Sequence, residues 1–404
     1  MELDIIGLLA SFSFALDHIE AELVGVTTGH AKRVAYMSVR MAECLGVEQD
    51  AIRDLAACAL LHDSALTQYL EEEYQSNINK VTGEKLKKDL WMHCVYGEIN
   101  IKKYPLRKET KNVILYHHEA ADGSGPFGKT WKEVHLFSRI IFLCDSLDRD
   151  CKMEQADKIV WDDAVEYLKK GEGTLFDSEC VGAFFDAFDK EHFEQLVSDQ
   201  LETLFWEKIP REKKYYSYQE LRGMIELFAR ITDYKSTFTS RHSIAVAESV
   251  EALAAYMGYD YDMTQKLYIA GALHDLGKIV IRNEILEKPD RLTDKEYTKM
   301  KNHAWYTYVM LSKVDGFEEI TEWASYHHER LDGSGYPFGK TEEELDEPAR
   351  MMACVDIYQA LREDRPYKKG MSYEKACEIL ESMAEKHWID GKIVKKIEEC
   401  FSHL

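Results

Sequence analysis

Seven histidine and aspartate side chains recur between positions 242 and 356 of this 404-residue chain. They are His242, His274, Asp275, His303, His327, His328 and Asp356. Imidazole nitrogens combined with carboxylate oxygens are typical ligands of transition metals such as Fe, Mn and Zn, and not of a Ca²⁺-only or Mg²⁺-only site. One catalytic ion takes roughly three or four protein ligands, so the set suits two ions better than one. We predict a two-metal site in which Asp275 is the bridging carboxylate.

The chemistry that such a site predicts is hydrolysis of a phosphoester. Two ions about 3.5 to 4 Å apart can ionise a shared water near neutral pH and stabilise phosphoryl oxygens during in-line displacement. Lys278 follows His274 and Asp275 by one helical turn, so we expect it on the same face. It could neutralise a phosphate oxygen or protonate the leaving alkoxide. The alternative for Lys278 is a solvated surface lysine.

The same residue types recur in the first half of the chain. LLHDSAL at 60–66 parallels ALHDLGK at 272–278, and YHHEAADGSGPFGKT at 116–130 parallels YHHERLDGSGYPFGKT at 326–341. The residues of the first set are His30, His62, Asp63, His93, His117, His118 and Asp145. The repeat predicts a duplicated fold, and the first set is a candidate for a further metal site.

Helices are expected to position both sets. The chain has only 7 prolines and 22 glycines, which leaves long uninterrupted segments. After His242, apolar residues follow at intervals of three and four, the helical period. We predict an all-α fold of two tandem helical bundles, residues 1–190 and 215–404, joined by a helical connector at 191–214. Large apolar residues such as Phe205 favour a connector that packs on one or both copies over one exposed to solvent.

Composition limits the class of protein. The net charge of −22 would repel a polyphosphate, so we expect no polymeric nucleic acid as a partner. The nine cysteines contain no C-x-x-C pair, which favours reduced thiols over a disulfide framework. The apolar run at 5–16 is too short to cross a bilayer and follows acidic residues, which favours a buried helix. We therefore expect a cytoplasmic protein with no membrane association.

The second copy resembles the HD-GYP group of the HD phosphohydrolase superfamily. The similarity is carried by His242, HDLGK at 274–278, His303, HHERLDGSGYP at 327–337 and DIYQALREDRPY at 356–367. The resemblance implies HD-type helical bundles and a di- or trinuclear non-haem centre, with iron or manganese expected. It also implies hydrolysis of cyclic di-GMP to linear pGpG, and in some members on to GMP.

The resemblance assigns overlapping ligand sets to the two ions. One ion is assigned to His242, His274, Asp275 and Asp356. The other ion is assigned to Asp275, His303, His327 and His328. Members with a third metal carry a glutamate where this chain has Phe238, so a dinuclear centre is expected.

The resemblance also implies catalytic and substrate-binding positions. Lys278 falls on the catalytic-site lysine, and Gly335 and Tyr336 fall on the loop that names the group. Arg365 belongs to the RPY element, and with Lys368 it could contact phosphate oxygens. A solvated loop is the alternative for the lysine.

The first copy departs from this pattern. Leu66 stands where the second copy has Lys278, DGSGPFGK lacks the tyrosine, and nothing resembling RPY follows Asp145. Loss of the cationic group weakens charge stabilisation of a transition state. We expect the first copy to be catalytically poor or silent, serving as a structural partner, a ligand sensor or a metal-dependent regulator, or holding a vestigial site.

Two other functions stay open at this level. One is hydrolysis of a different substrate, such as the mixed cyclic GMP-AMP dinucleotide or a simpler nucleotide phosphate. The other is a signalling scaffold that binds nucleotide or a partner protein without turnover. A homodimer or a signalling protein partner is compatible with either function.

Overall fold

The computed structural model describes most of the chain and divides it into two units. The described residues are 1–23, 29–66, 68–69, 91–106, 110–151, 153, 161–198, 200–209, 211–235, 242–288, 290–364 and 369–402. Within them the all-α prediction is confirmed, with eighteen α-helices and one two-stranded sheet of β1 (Glu2–Asp4) and β2 (Lys213–Tyr215). The first unit is Asp4–Lys214, and the second is Met1–Leu3 with Tyr215–Leu404.

The first unit is built around one buried central helix, His30–Cys44. Its helices are α1 (Ile5–Leu23), α2 (His30–Cys44), α3 (Gln49–Leu60), α4 (Met92–Ile101), α5 (Leu136–Asp150), α6 (Trp161–Gly171), α7 (Ser178–Ala187), α8 (Lys190–Gln195) and α9 (Leu201–Lys208). α2 packs against α3, α5 and α7. The apolar run at 5–16 lies in α1, where Leu8, Leu9 and Phe12 are buried. Because apolar burial dominates folding free energy, this core fixes the helices that carry the first set.

The segment predicted as a connector, 191–214, lies within the first unit. Phe193, Leu196 and Phe205 are fully buried, and α9 packs against α2. Lys32 of α2 pairs with Glu202 of α9. The first unit therefore extends to Lys214 and is not followed by a separate connector.

The second unit repeats the helical plan. Its helices are α10 (Tyr218–Tyr234), α11 (His242–Tyr256), α12 (Tyr261–Leu273), α13 (Asn283–Leu286), α14 (Asp294–Leu311), α15 (Glu318–Ser325), α16 (Glu347–Arg362), α17 (Tyr373–Glu385) and α18 (Gly391–Phe401), with 3₁₀ turns at Leu276–Val280 and Glu342–Glu344. α11 packs against α12 and α16. A Cβ at Gly271 would lie 2.8 Å from Ala247 Cα, so glycine permits the close approach of α11 and α12. None of the described helices is both long enough and apolar enough to cross a membrane.

The 3₁₀ turn Leu276–Val280 is locked onto α14. Gly277 N donates to Thr307 Oγ1 at 2.9 Å, and Thr307 Oγ1 donates to His274 O at 3.0 Å. A Cβ on Gly277 would overlap the carbonyl of His303. These contacts place His274 and Asp275 directly beside His303.

Candidate metal centre

Five separate elements bring the second set of histidines and aspartates together. His242 begins α11, His274 and Asp275 follow α12, and His303 lies within α14. The remaining residues of the set are His327 and His328, which follow α15, and Asp356 in α16. All are buried except His328, which is half-buried. Residues up to 114 positions apart therefore form one cluster inside the unit.

Asp275 lies at the centre of this cluster. Its Oδ1 atom lies 3.5 Å from His303 Nε2 and 3.9 Å from His327 Nε2. Its Oδ2 atom lies 3.3 Å from His274 Nε2 and 4.0 Å from His242 Nε2. The two oxygens face different imidazoles, which is the arrangement that a carboxylate shared by two ions requires.

Three of the imidazoles are held in one tautomer by the backbone. In each, Nδ1 lies within hydrogen-bond distance of the carbonyl three residues earlier. The pairs are His274 with Gly271 O at 2.7 Å, His303 with Met300 O at 2.7 Å and His327 with Ala324 O at 2.6 Å. A carbonyl only accepts, so Nδ1 carries the proton and Nε2 of the neutral ring keeps its lone pair. Metal-binding histidines are oriented in this way.

The buried Nε2 atom of His274 tests whether the cluster fits a metal. Among the described residues, this atom has no hydrogen-bond partner. It lies 3.3 Å from the nearer oxygen of Asp275 and 3.6 Å from that of Asp356. Because a buried polar atom without a hydrogen bond is costly, a directed lone pair surrounded by carboxylates fits a bound cation.

Asp356 organises the other side of the cluster. Its Oδ1 atom lies 3.2 Å from His242 Nε2, and its Oδ2 atom lies 4.0 Å from His328 Nδ1. The second nitrogen of His242, Nδ1, lies 3.2 Å from Glu363 Oε2. Sequence reasoning missed this glutamate because a carboxylate seven positions after Asp356 has no distinctive motif. The carboxylates of Asp356 and Glu363 outweigh the effect of burial and raise the pKa of His242 to about 9.

Burial and charge push the imidazole pKa values apart. Burial would lower the pKa of His274, but Asp275 and Asp356 outweigh it and raise the pKa to about 10. Burial lowers the pKa of His303 to about 4 and that of His328 to about 3. The two carboxylates thus favour a positive charge at His274 Nε2, a place that a metal cation can take in exchange for a proton. The rings of His303 and His328 stay neutral, and a neutral imidazole is the form that binds a metal.

Lys278 lies against the central aspartate. Its Nζ atom contacts Asp275 Oδ2, and its side chain is 23% exposed. Burial would lower the pKa of the ammonium, but the carboxylates of Asp275, Asp356 and Asp233 outweigh it and raise the pKa. Lys278 is therefore a charged group at the cluster and not a solvated surface lysine.

A cavity of about 390 Å³ opens next to the cluster. It is lined by His328 and Tyr336 and by two cations that sequence reasoning missed, Lys301 and Arg330. The Tyr336 ring lies 4.7 Å from the His328 ring, and Lys301 Nζ lies 5.7 Å from the Tyr336 ring. The volume falls in the range of roughly 300–1,000 Å³ typical of ligand pockets. The sequence signal that could have identified Lys301 was its position two residues before His303.

The loop after the double histidine is tied down by Glu329. Its carboxylate accepts hydrogen bonds from the backbone of Phe338 at 2.7 Å and of Lys340 at 3.0 Å. A Cβ on Gly335 would clash with the backbone of Glu329 and Arg330. Gly335 therefore permits a close backbone approach, and its predicted role in substrate binding stays a prediction. Glu329 was missed because its partners are backbone groups.

Three residues of the sequence prediction lie outside the described part of the chain. They are Arg365 and Lys368, assigned to phosphate contacts, and Phe238, used to argue for two ions.

The first set also converges on one aspartate. Asp63 Oδ1 lies 2.9 Å from His93 Nε2 and 3.3 Å from His117 Nε2. Asp63 Oδ2 lies 3.6 Å from His62 Nε2. The Nδ1 atoms of His62 and His117 lie 2.9 and 2.6 Å from backbone carbonyls three residues earlier. The first copy therefore repeats the ligand geometry of the second.

The surroundings of the first set differ in charge. Asp145 Oδ1 lies 3.5 Å from His30 Nε2, whereas its Oδ2 pairs with Arg149 Nη1 at 2.9 Å. His118 Nδ1 lies 3.8 Å from Asp145 Oδ2. Leu66, which replaces the second copy's lysine, is buried. A cation from α5 therefore contacts Asp145, whereas the cation of the second copy contacts the central aspartate.

Comparison with known proteins finds the same domain family in both copies. The HD domain family matches residues 18–180 and 226–393. The 3'3'-cGAMP-specific phosphodiesterase 1 of Vibrio cholerae is 29% identical over 366 residues, covering 87% of this chain and 82% of that protein. A cyclic di-GMP phosphodiesterase of Pseudomonas aeruginosa is 38% identical over 149 residues, covering 37% of this chain and 35% of that protein.

A solved structure shows the same fold. It is the crystal structure of a cyclic GMP-AMP-specific phosphodiesterase of V. cholerae, with a TM-score of 0.70 and 21% sequence identity. The match covers 100% of this chain and 99% of that chain. The resemblance predicted from the sequence is confirmed: the chain belongs to the HD domain family, and each of its halves contains a matching segment.

Proposed function

We propose that the second copy is a metal-dependent phosphodiesterase that opens a cyclic dinucleotide to its linear form. The observation that carries the proposal is the position of Asp275, whose two oxygens face two different groups of imidazoles with Lys278 beside them. The ligands are His242, His274, Asp275, His303, His327, His328 and Asp356. Their imidazole and carboxylate atoms suit iron or manganese.

The chain's own groups prepare the site for this reaction. Metal ions held by these ligands would supply an ionised water and would neutralise phosphoryl oxygens. The backbone carbonyls behind His274, His303 and His327 fix the rings with Nε2 towards Asp275. Lys278 holds a positive charge at the same place, where it can neutralise a phosphate oxygen or give a proton to the leaving alkoxide.

The cavity beside the cluster supplies features that a cyclic dinucleotide needs. Tyr336 presents an aromatic ring on which a base can stack. Lys301 and Arg330 place positive charge on the wall, which suits phosphate oxygens. The large negative charge of the whole chain therefore does not prevent an anionic ligand from binding here.

Two dinucleotides are candidate substrates. The relative that covers most of this chain is named for 3'3'-cGAMP, which favours the mixed dinucleotide. The relative with the higher identity, over a shorter stretch, is named for cyclic di-GMP, which favours the product pGpG. We propose that the first copy has a structural or regulatory role, since Leu66 and the missing tyrosine remove two features of the second copy.

The test is turnover by the purified full chain loaded anaerobically with Fe²⁺ or Mn²⁺. Both dinucleotides are offered in parallel at equal concentration, and linear products are separated by chromatography. We expect hydrolysis of at least one dinucleotide, and the ratio of the two kcat/KM values identifies the substrate. Binding of dinucleotide without hydrolysis by metal-loaded protein would overturn the proposal in favour of a scaffold.

A further inference from the structure

We propose that the first copy holds one transition-metal ion in a site of three imidazoles and a thiolate. The ligands are His93, Cys94, His117 and His118. One nitrogen or sulfur atom from each lies within 4.8 Å of all the others. The site is separate from the proposed catalytic centre, because its residues all belong to the first unit.

Two of the six distances between the four donor atoms match those of a tetrahedral ion. With Zn–N of about 2.05 Å and Zn–S of about 2.3 Å, tetrahedral geometry requires an N–N edge of about 3.3 Å and an N–S edge of about 3.6 Å. His93 Nε2 lies 3.3 Å from His117 Nε2. Cys94 Sγ lies 3.6 Å from His93 Nε2. Both edges match the required values.

The thiol distinguishes this site from the second copy. His93 matches His303 in the repeat, so the position of Cys94 corresponds to Ala304. A thiolate is a softer ligand than a carboxylate and favours Zn²⁺ over Mn²⁺. Cys94, His93 and His117 are buried, and closed sites with four protein ligands are typical of structural zinc.

One aspartate of the first set, Asp145, already pairs with a cation. Arg149 Nη1 lies 2.9 Å from Asp145 Oδ2, whereas the matching position in the second copy is Ala360. The guanidinium neutralises the aspartate that would otherwise hold the second ion with His30. Asp63 Oδ1, 2.9 Å from His93 Nε2, borders the proposed site and adds negative charge that favours one ion there. We therefore infer a mononuclear centre.

Cobalt substitution of the full chain tests this proposal without measuring turnover. Metal-free protein is titrated with Co²⁺, and the near-ultraviolet charge-transfer absorption of a cobalt–thiolate bond is recorded. We expect this absorption in the wild type and its loss in Cys94→Ser. The matched control is Cys180→Ser, which changes another buried cysteine of the first unit and should leave the absorption intact.

The metal content of the variants gives an independent count of the ions bound per chain. We expect Cys94→Ser to bind one ion fewer per chain than the wild type after loading with Zn²⁺, with an unchanged circular dichroism spectrum. Cys94→Ala, which introduces the residue of the matching second-copy position, guards against a folding effect and should lose the same ion. Cobalt binding without thiolate absorption in the wild type, or loss of two ions in these variants, would overturn the mononuclear His₃Cys site.

Discussion

The two copies differ in charge at the residue three positions after the central aspartate. In the second copy this residue is Lys278, whose ammonium contacts Asp275. In the first copy it is Leu66, which is buried and carries no charge. A fixed positive charge is most useful where negative charge develops on phosphoryl oxygens. We therefore propose that the lysine separates a site equipped for catalysis from one equipped only for binding.

Replacing this lysine tests its role in the reaction. We expect Lys278→Met to lower kcat by about 100-fold, the size of effect seen when one charge-stabilising donor is removed. The metal content should stay at the wild-type value, since Lys278 is not a proposed ligand. Leu66→Met in the first copy is the matched control and should leave kcat unchanged. A parallel loss of metal in Lys278→Met would assign the lysine a structural role instead.

The two central aspartates provide a second comparison at this scale. Asp275→Ala removes the carboxylate that faces four of the five imidazoles in the second set. We expect it to release the ions of the second copy and to abolish turnover. Asp63→Ala makes the same change in the first copy and should keep most of the turnover. Metal analysis and steady-state kinetics on both variants measure this, and equal loss of activity in both would show that the first copy is not silent.

At the level of elements, the turn that carries the His-Asp pair packs on its neighbouring helix through a different pair of residues in each copy. The second copy places Gly277 against Thr307 of α14, with a hydrogen bond of 2.9 Å. At the matching positions the first copy has Ala65 and Gly97. A Cβ on Gly97 would lie 3.9 Å from Ala65 Cβ. That distance is ordinary van der Waals contact. The Cβ would instead lie 2.6 Å from Ile114 Cγ2, so glycine at this position makes room for Ile114.

The close packing at Gly277 predicts the effect of a small substitution. Gly277→Ala inserts a methyl group against the His303 carbonyl, and we expect a destabilisation of about 1–3 kcal/mol together with weaker metal binding. Adding Thr307→Gly reproduces the residue pair of the first copy but leaves the His303 carbonyl in place, so we expect no recovery. The double variant should lose further stability, because glycine within a helix costs about 1 kcal/mol. Urea unfolding and metal titration measure the two effects, and recovery of either in the double variant would show that the Thr307 side chain, and not the backbone, sets the close approach.

The N-terminus of α14, the helix that carries His303, contributes stability that depends on pH. Thr293 and Glu296 form a capping box, and Lys288 also pairs with Glu296. These hydrogen bonds lower the pKa of Glu296 to about 2. Because the folded pKa is below the ordinary value of about 4.3, the stabilisation is complete above that pH and is lost as the pH falls towards 2.

We therefore expect Glu296→Gln to lower the Tm at pH 7 by a few degrees. The difference from the wild type should shrink progressively as the pH falls below about 4.3. Thermal unfolding followed by circular dichroism at a series of pH values measures it. Glu284→Gln, on the short helix α13, changes a glutamate outside the capping box and should show no such trend. A difference independent of pH would contradict the assigned pKa.

At the scale of the whole molecule, the repeat made the fold and both clusters predictable from the sequence. Motif spacing carries this information, since the sequence intervals between ligands are nearly the same in both copies. The end of the first unit was not predictable, because the apolar pattern of 191–214 indicates helices without showing where they pack. Glu329 was missed because it binds backbone amides, and Cys94 was missed because it breaks the repeat. The fold and the histidine–aspartate clusters were therefore visible in the sequence, whereas the packing partners of individual side chains needed the structure.

The last prediction concerns how the duplicated molecule responds to metal. All ligands of the first set belong to Asp4–Lys214, and all ligands of the second set belong to the other unit. Because an ion stabilises the elements that it binds, each unit should gain protection from amide hydrogen exchange through its own ligands. We expect metal-dependent protection of peptides around His303 and His327 to vanish in Asp275→Ala while peptides around His93 and His117 keep theirs. Cys94→Ser should give the opposite pattern. Exchange measured by mass spectrometry on metal-free and loaded protein distinguishes the two, and simultaneous loss in both units would mean that the centres are energetically linked across the duplication.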